Sequence, residues 1–198
     1  MDSLTGVILC GGQSTRMGRD KGLILQGNTP WAEYMAEKLL PFQIPVVFSV
    51  NQRQLEAYST QIPGRFILDD LDLPGPLNGL LSVHKQLPSR DLLLLACDMP
   101  DLDTSTIGGV IDAYHSATRQ IPAVDINLAP DFYVYQLEAF AQPFCGIYTS
   151  KGLSKALQAA INGQTIDYSF QSLLKSGRTM RLRADSSGPF RNYNSEYE

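Results

Sequence analysis

The chain is poor in charge, cysteine, histidine and long apolar runs. Charged residues make up 18% of its 198 positions, below the roughly 25% of ordinary soluble domains. Sixteen cations against twenty anions leave a net charge of −4, which argues against broad nucleic-acid or anionic-membrane binding. The longest apolar runs, such as Leu92 to Cys97, are strand-sized and far short of the roughly 20 residues of a membrane span. The first residues, Met1 to Gly6, lack the basic flank and apolar stretch of a secretion signal. Three scattered cysteines, Cys10, Cys97 and Cys145, read as reduced thiols and not as a disulfide framework or zinc site. A cytoplasmic location is the expectation. The 43% hydrophobic content excludes disorder, and the length suits a single domain.

Short apolar runs alternate with helical patterns. Strands are expected at 6–10, 44–50, 65–68, 91–98, 122–127, 146–148, 178–184 and 191–194. A helix should start at Thr29-Pro30, with Thr29 as N-cap, and stop at Pro41. Further helices are expected from Gly75-Pro76 through Leu87, from about 103 to 117, and over 151–162. The run Leu92-Leu93-Leu94-Leu95-Ala96-Cys97 has no alternation, the mark of a strand buried on both faces. The fold class implied is α/β, a three-layer α/β/α sandwich on a mostly parallel sheet, with its site at the carboxyl ends of the strands.

The densest signal is Leu9-Cys10-Gly11-Gly12-Gln13-Ser14-Thr15-Arg16-Met17-Gly18-Arg19-Asp20-Lys21. Glycines directly after a strand let the backbone turn tightly and offer N–H groups to an anion. Arg16, Arg19 and Lys21 set a local positive spot in an acidic chain, which suits a polyphosphate. A glycine turn followed by a solvated basic face is the plainer alternative. Walker A fails, since Met17 stands five residues after Gly12 and Arg19 follows Gly18. The dinucleotide fingerprint fails at Gln13-Ser14. This is a third kind of phosphate loop. Asp98, at the exit of the most apolar strand, is positioned as a Mg²⁺ ligand; the alternative, a helix cap, is better served by Asp101 or Asp103. Asp69, Asp70 and Asp72 offer one chemistry among them. His84, His115 and Trp31 read as structural or surface residues.

The loop resembles the L-x-G-G-x-S-x-R-M-G-x-D-K signature of nucleotidyltransferases that act on the molybdenum cofactor, and most of all the molybdenum cofactor guanylyltransferase family. The likeness continues through Asn51, Asp70, Gly75-Pro76-Leu77-x-Gly79, Cys97-Asp98-Met99-Pro100 and Phe190-Arg191-Asn192-Tyr193-Asn194-Ser195. It is specific over the first hundred residues and weak from 119 to 187. The resemblance implies transfer of GMP from GTP to the terminal phosphate of molybdopterin, with pyrophosphate released and Mg²⁺ as cofactor. It assigns Leu9, Cys10, Gly11 and Gly12 to the nucleotide and Lys21 to its β- and γ-phosphates. Arg16 goes to the leaving pyrophosphate, Asn51 and Asp70 to the nucleoside, Asp98 to the metal, and Asn192 and Asn194 to the acceptor. It divides the chain into a nucleotide-binding half, 1–118, and an acceptor-binding half, 119–198. The implied partners are GTP and molybdopterin, with transient contacts to other proteins of cofactor biosynthesis and to molybdoenzymes. Two departures stand out: Cys10 where the family usually has Ala, and a curtailed final helix. A cytidylyltransferase of the same cofactor, a sugar-phosphate nucleotidyltransferase and a non-catalytic nucleotide-binding regulator remain open.

Overall fold

The computed structural model describes residues 4–11, 20–120, 128–164 and 167–193. Seven strands make one sheet: β1 (Leu4–Leu9), β2 (Val46–Val50), β3 (Arg65–Leu68), β4 (Asp91–Ala96), β5 (Phe132–Leu137), β6 (Phe140–Tyr148) and β7 (Thr179–Arg183). Their spatial order is β3-β2-β1-β4-β6-β5-β7. The first four strands pair in parallel, β6 runs antiparallel between β4 and β5, and β7 returns parallel to β5. The mostly parallel α/β sheet follows from the alternating sequence pattern, with β4 at its centre.

Six helices cover the two faces: α1 (Trp31–Glu37), α2 (Leu55–Gln61), α3 (Leu77–Gln86), α4 (Thr104–Gln120), α5 (Ser150–Ile161) and α6 (Phe170–Ser176). Along β4 the side chains alternate between two cores. Leu93 and Leu95 pack with Met35, Tyr58 and Ile107 from α1, α2 and α4. Leu92 and Leu94 pack with Leu80, Leu153 and Leu173 from α3, α5 and α6. All four leucines are fully buried, which is why the strand shows no period of two. Each such side chain contributes about 1.5–3 kcal/mol through removal from water.

Several local expectations are corrected. Thr29 does not cap a helix. Leu25–Gln26 and Thr29–Pro30 form a tiny antiparallel ribbon around Gly27-Asn28, with Gly27 at φ 64°, the geometry that a two-residue hairpin loop requires. Helix α1 therefore begins at Trp31, whose N–H donates to Ile24 O at 2.8 Å, and a separate 3-10 turn, Leu40–Phe42, holds Pro41. The expected strand at 122–127 lies outside the described residues. The strand expected at 146–148 is the last third of β6. The strand runs on through Pro143, and the β5–β6 pairing accommodates it with a register shift between Tyr133 and Tyr135. The expected strand at 191–194 is replaced by a 3-10 turn, Gly188–Phe190, and an irregular segment up to Tyr193; Asn194 lies outside the described residues.

Helix α4 is capped by Asp103, whose Oδ1 accepts from Thr106 N at 2.6 Å. Asp103→Ala should lower stability by about 1 kcal/mol and leave turnover unchanged. Thermal unfolding read beside activity checks this, and an equal loss of activity would contradict a purely capping role.

Candidate functional site

The carboxyl ends of β2, β1 and β4 lie side by side. Cys10 N donates to Ser49 O at 3.0 Å, and Cys97 N donates to Leu9 O at 3.2 Å. Strand pairing thus delivers Leu9-Cys10-Gly11 and Cys97-Asp98 to one edge, the place where open α/β sheets bind ligands. Gly12 and Arg16 lie outside the described residues.

The chain re-enters at Asp20, which N-caps a 3-10 turn, Lys21–Leu23. Asp20 is clamped from several sides. Its Oδ1 accepts from Gly22 N at 3.3 Å and from the Tyr58 hydroxyl, and its Oδ2 accepts from Gln54 Nε2. Gln54 Nε2 also donates to Cys10 O at 3.0 Å, tying the loop's entry to its exit. Burial, with Cys10, Cys97 and Asp20 nearby, pushes the Tyr58 hydroxyl far above its ordinary range, so it stays a proton donor. A Cβ on Gly22 would lie 2.2 Å from the Tyr58 hydroxyl oxygen, so the turn sits on Tyr58 because this residue lacks one.

This clamp aims Lys21 across the site. Its Nζ lies 2.9 Å from Asp98 Oδ2, with both side chains partly buried. The two groups that sequence reasoning assigned to phosphate and metal therefore meet directly. Asp98 does not cap α4, since Asp103 does. The backbone oxygen of Asp98 accepts from Tyr193 N at 2.9 Å. Tyr193 in turn donates its hydroxyl to Asp101 and packs edge-on against Trp31, with ring centroids 6.2 Å apart. The tail is thus pinned beside Asp98, and exposed Asn192 arrives there with it.

Asn51, at the exit of β2, holds the turn into α2. Its Oδ1 accepts from Arg53 N at 2.9 Å and Gln54 N at 3.1 Å, while its own N–H donates to Gln54 Oε1 at 2.9 Å, a reciprocal arrangement like a capping box. Asp70 is not gathered with the others. Its carboxylate pairs with Lys85 of α3 at 3.1 Å, and both side chains are half-exposed. Asp69 is the one that turns inward. Its Oδ1 accepts from Ser49 Oγ at 2.6 Å, and its Oδ2 lies 2.4 Å from where a Cβ on Gly11 would stand. Gly79 of α3 makes room on the other side, since a Cβ there would meet Ser49 Oγ at 2.4 Å and Leu9 Cδ1 at 2.5 Å. The glycines at 11 and 79 are therefore required by Asp69 and Ser49 as much as by any ligand.

Burial raises the Asp69 carboxyl above its usual range, against the bond from Ser49 and with help from the neighbouring Asp70 charge. The folded state then holds this proton more tightly than the unfolded state, so stability is lost as pH rises through the raised value. Asp69→Asn should raise the melting temperature at pH 7, and the gain should vanish below about pH 4, where both states are protonated. Asp70→Asn should change stability by less than about 1 kcal/mol. An Asp69→Asn variant destabilised at pH 7 would contradict the burial argument.

Among the described residues no group of three His, Cys, Asp or Glu side chains could hold a metal. A protein cage is thus not present there. Asp98 alone suits Mg²⁺, which is usually held by one or two carboxylates and completed by substrate phosphates and water. Sequence reasoning missed the parts played by Asp20, Gln54, Tyr58 and Ser49, and left Asp69 open beside Asp70 and Asp72. The signals were present in part: Asp20 stands beside Lys21, and Gln54 and Tyr58 are four apart, on one face of a helix.

A family model described as the MobA-like NTP transferase domain matches residues 6–180. The molybdenum cofactor guanylyltransferase of Serratia proteamaculans is 31% identical over 148 residues, covering 68% of this chain and 74% of that protein. A probable molybdenum cofactor guanylyltransferase of Flavobacterium johnsoniae is 30% identical over 153 residues, covering 76% and 71%. Among solved structures, molybdopterin-guanine dinucleotide biosynthesis protein A of Archaeoglobus fulgidus has the same fold. Its TM-score is 0.73 at 18% identity, with 98% of this chain and 93% of that one covered.

Proposed function

The chain belongs to the MobA-like NTP transferase domain family, and from that premise we propose that it transfers GMP from GTP to the terminal phosphate of molybdopterin. Pyrophosphate leaves and molybdopterin guanine dinucleotide forms. The observation that carries this reading is the Lys21–Asp98 pair at the exits of the central strands, a cation for phosphate beside a carboxylate for Mg²⁺. The relatives named above, guanylyltransferases of this cofactor, supply the nucleotide and the acceptor.

The reaction needs no protein nucleophile. A phosphate oxygen of the acceptor attacks the α-phosphorus and pyrophosphate departs, so catalysis is positioning plus neutralisation of charge. Leu9, Cys10, Gly11 and Gly12 touch the nucleotide by their backbone. Lys21 leaves Asp98 for the β- and γ-phosphates, and Arg16 supports the leaving group. Mg²⁺ on Asp98, completed by phosphate oxygens, would supply further positive charge at the reacting phosphates. Asn192 and Asn194 face the acceptor. The nucleotide occupies the half formed by residues 1–118, and the acceptor occupies 119–198. A cytoplasmic location and transient contacts with other proteins of cofactor biosynthesis and with molybdoenzymes belong to the same proposal.

For the nucleoside, the inward carboxylate favours Asp69 over Asp70. Guanine carries adjacent N–H donors that a carboxylate can accept. Asp69→Asn should therefore weaken GTP binding about tenfold, the worth of one hydrogen bond to a charged acceptor, while Asp70→Asn leaves it unchanged. The decisive assay is pyrophosphate release with GTP, Mg²⁺ and molybdopterin, with CTP, ATP and a sugar 1-phosphate as controls. Release with GTP and molybdopterin alone is the expected result. Equal use of CTP, or GTP binding with no release under any acceptor, would overturn the reading.

A further inference from the structure

We propose that Cys10 and Cys97 form an oxidative modification site in the floor of the nucleotide site, and that a disulfide between them switches nucleotide binding off. The switching half of this proposal rests on the function proposed above; the disulfide itself does not. The two residues leave adjacent parallel strands one step beyond the paired residues Leu9 and Ala96, with Cys97 N bonded to Leu9 O. Both side chains enter the same core beneath α1 and α2, and both thiols are buried there. Neighbouring strands lie about 4.8 Å apart, inside the roughly 4.4–6.8 Å between Cα atoms that a disulfide spans.

The oxidant is a peroxide. One thiolate attacks the O–O bond of hydrogen peroxide, giving a sulfenic acid and hydroxide, which takes up the released proton as water. The second thiol then attacks the sulfenic sulfur and expels water. Two thiols and one peroxide become one disulfide and two waters, and the two sulfurs together lose two electrons. Each cysteine adjoins a working residue, Gly11 on one strand and Asp98 on the next. A bond of about 2.05 Å ties the two side chains to each other, so it constrains the backbone that leads from them into Gly11 and Asp98. Gln54, bonded to Cys10 O, shares that constraint.

The same surroundings set when the reaction occurs. Cys10 and Cys97 are only 5% and 6% exposed. Burial, with Cys97 beside it, pushes the Cys10 thiol up, which keeps the closed site slow to react. A nucleotide lying over the Cys10–Gly11 backbone covers the pair further, so GTP should protect it.

The test treats the whole chain with hydrogen peroxide, with and without GTP, and maps its peptides without reduction. The expected product is a linked peptide pair containing Cys10 and Cys97, two hydrogens lighter, formed more slowly with GTP present. Cys145, buried on β6, should remain alkylatable after unfolding. GTP affinity measured by calorimetry should fall about tenfold or more, the loss expected when donors are moved off a phosphate, and dithiothreitol should restore it. Cys97→Ala should keep its affinity through the same treatment. Two free thiols after treatment, or one cysteine over-oxidised without a link, would overturn the site. A link that leaves GTP affinity unchanged would overturn the switch. An untreated chain that fails to bind GTP would instead refute the proposed function, while the peptide map still decides whether the disulfide forms.

Discussion

Asp98→Asn should lose about a hundredfold or more in Mg²⁺-dependent turnover, the scale set by removing one charge-stabilising group from an active site. It should hold GTP to within about tenfold. An amide oxygen is a weaker Mg²⁺ ligand than a carboxylate, and the variant leaves the backbone of the site in place. The position of Asp98 is set by the strand before it: β4 is buried on both faces to its last residue, so its first polar side chain emerges at the edge of the sheet. Stability should barely move. Asp103 caps the following helix, and the ion pair between Asp98 and Lys21 is partly exposed, worth at most about 1 kcal/mol. GTP affinity could even rise, since Lys21 would be released from a competing carboxylate. Turnover and melting temperature measured on the same sample decide the matter. Near-normal turnover would remove the metal from Asp98.

The parts of this site that were legible in the sequence are those carried by contiguous, strongly patterned residues. The unbroken apolar run of β4 reports burial on both faces, as the structure shows, while residues 12–19 of the glycine loop lie outside the described residues and its anion-site reading stays a proposal. What the sequence hid arises from distant contacts. Helix α2 has only seven residues, too short for a clear period, yet Gln54 at its start and Tyr58 within it hold Asp20 and thereby aim Lys21. The choice among Asp69, Asp70 and Asp72 is likewise a tertiary matter. Ser49 on β2 draws Asp69 inward and Lys85 on α3 holds Asp70 at the surface, from twenty and fifteen residues away. Strand β6 begins at Phe140, ahead of the expected 146–148, because its pairing with β5 runs on past Pro143 through a register shift. Tail residue Asn192 owes its place to the contacts of Tyr193 with Asp98, Asp101 and Trp31, and nothing in local propensity announces that.

Lys21→Ala should weaken GTP binding by about tenfold or more, because a charge-assisted contact to phosphate contributes roughly 1.5–3 kcal/mol. The fold should persist. The 3-10 turn that carries Lys21 is held by Asp20, Gln54 and Tyr58 through other atoms, and none of those bonds involves the lysine side chain. What the variant does remove is the partner of Asp98, leaving a carboxylate with less neutralisation beside an incoming polyphosphate. Part of the weakened affinity is therefore repulsion, not only a missing attraction. That distinction has a measurable consequence. In the double variant Lys21→Ala, Asp98→Asn the repulsion is gone, so GTP affinity should recover part of the single-variant loss and the two effects should not add, as for any pair of directly touching residues. The Lys21→Ala loss should also shrink as salt rises, since screening weakens both the attraction and the repulsion. Calorimetric titration of GTP into the wild type and the three variants at low and high salt gives the whole cycle. Unchanged affinity in Lys21→Ala would remove the lysine from the phosphates, and strict additivity in the double variant would show that the Lys21–Asp98 pair plays no part in binding.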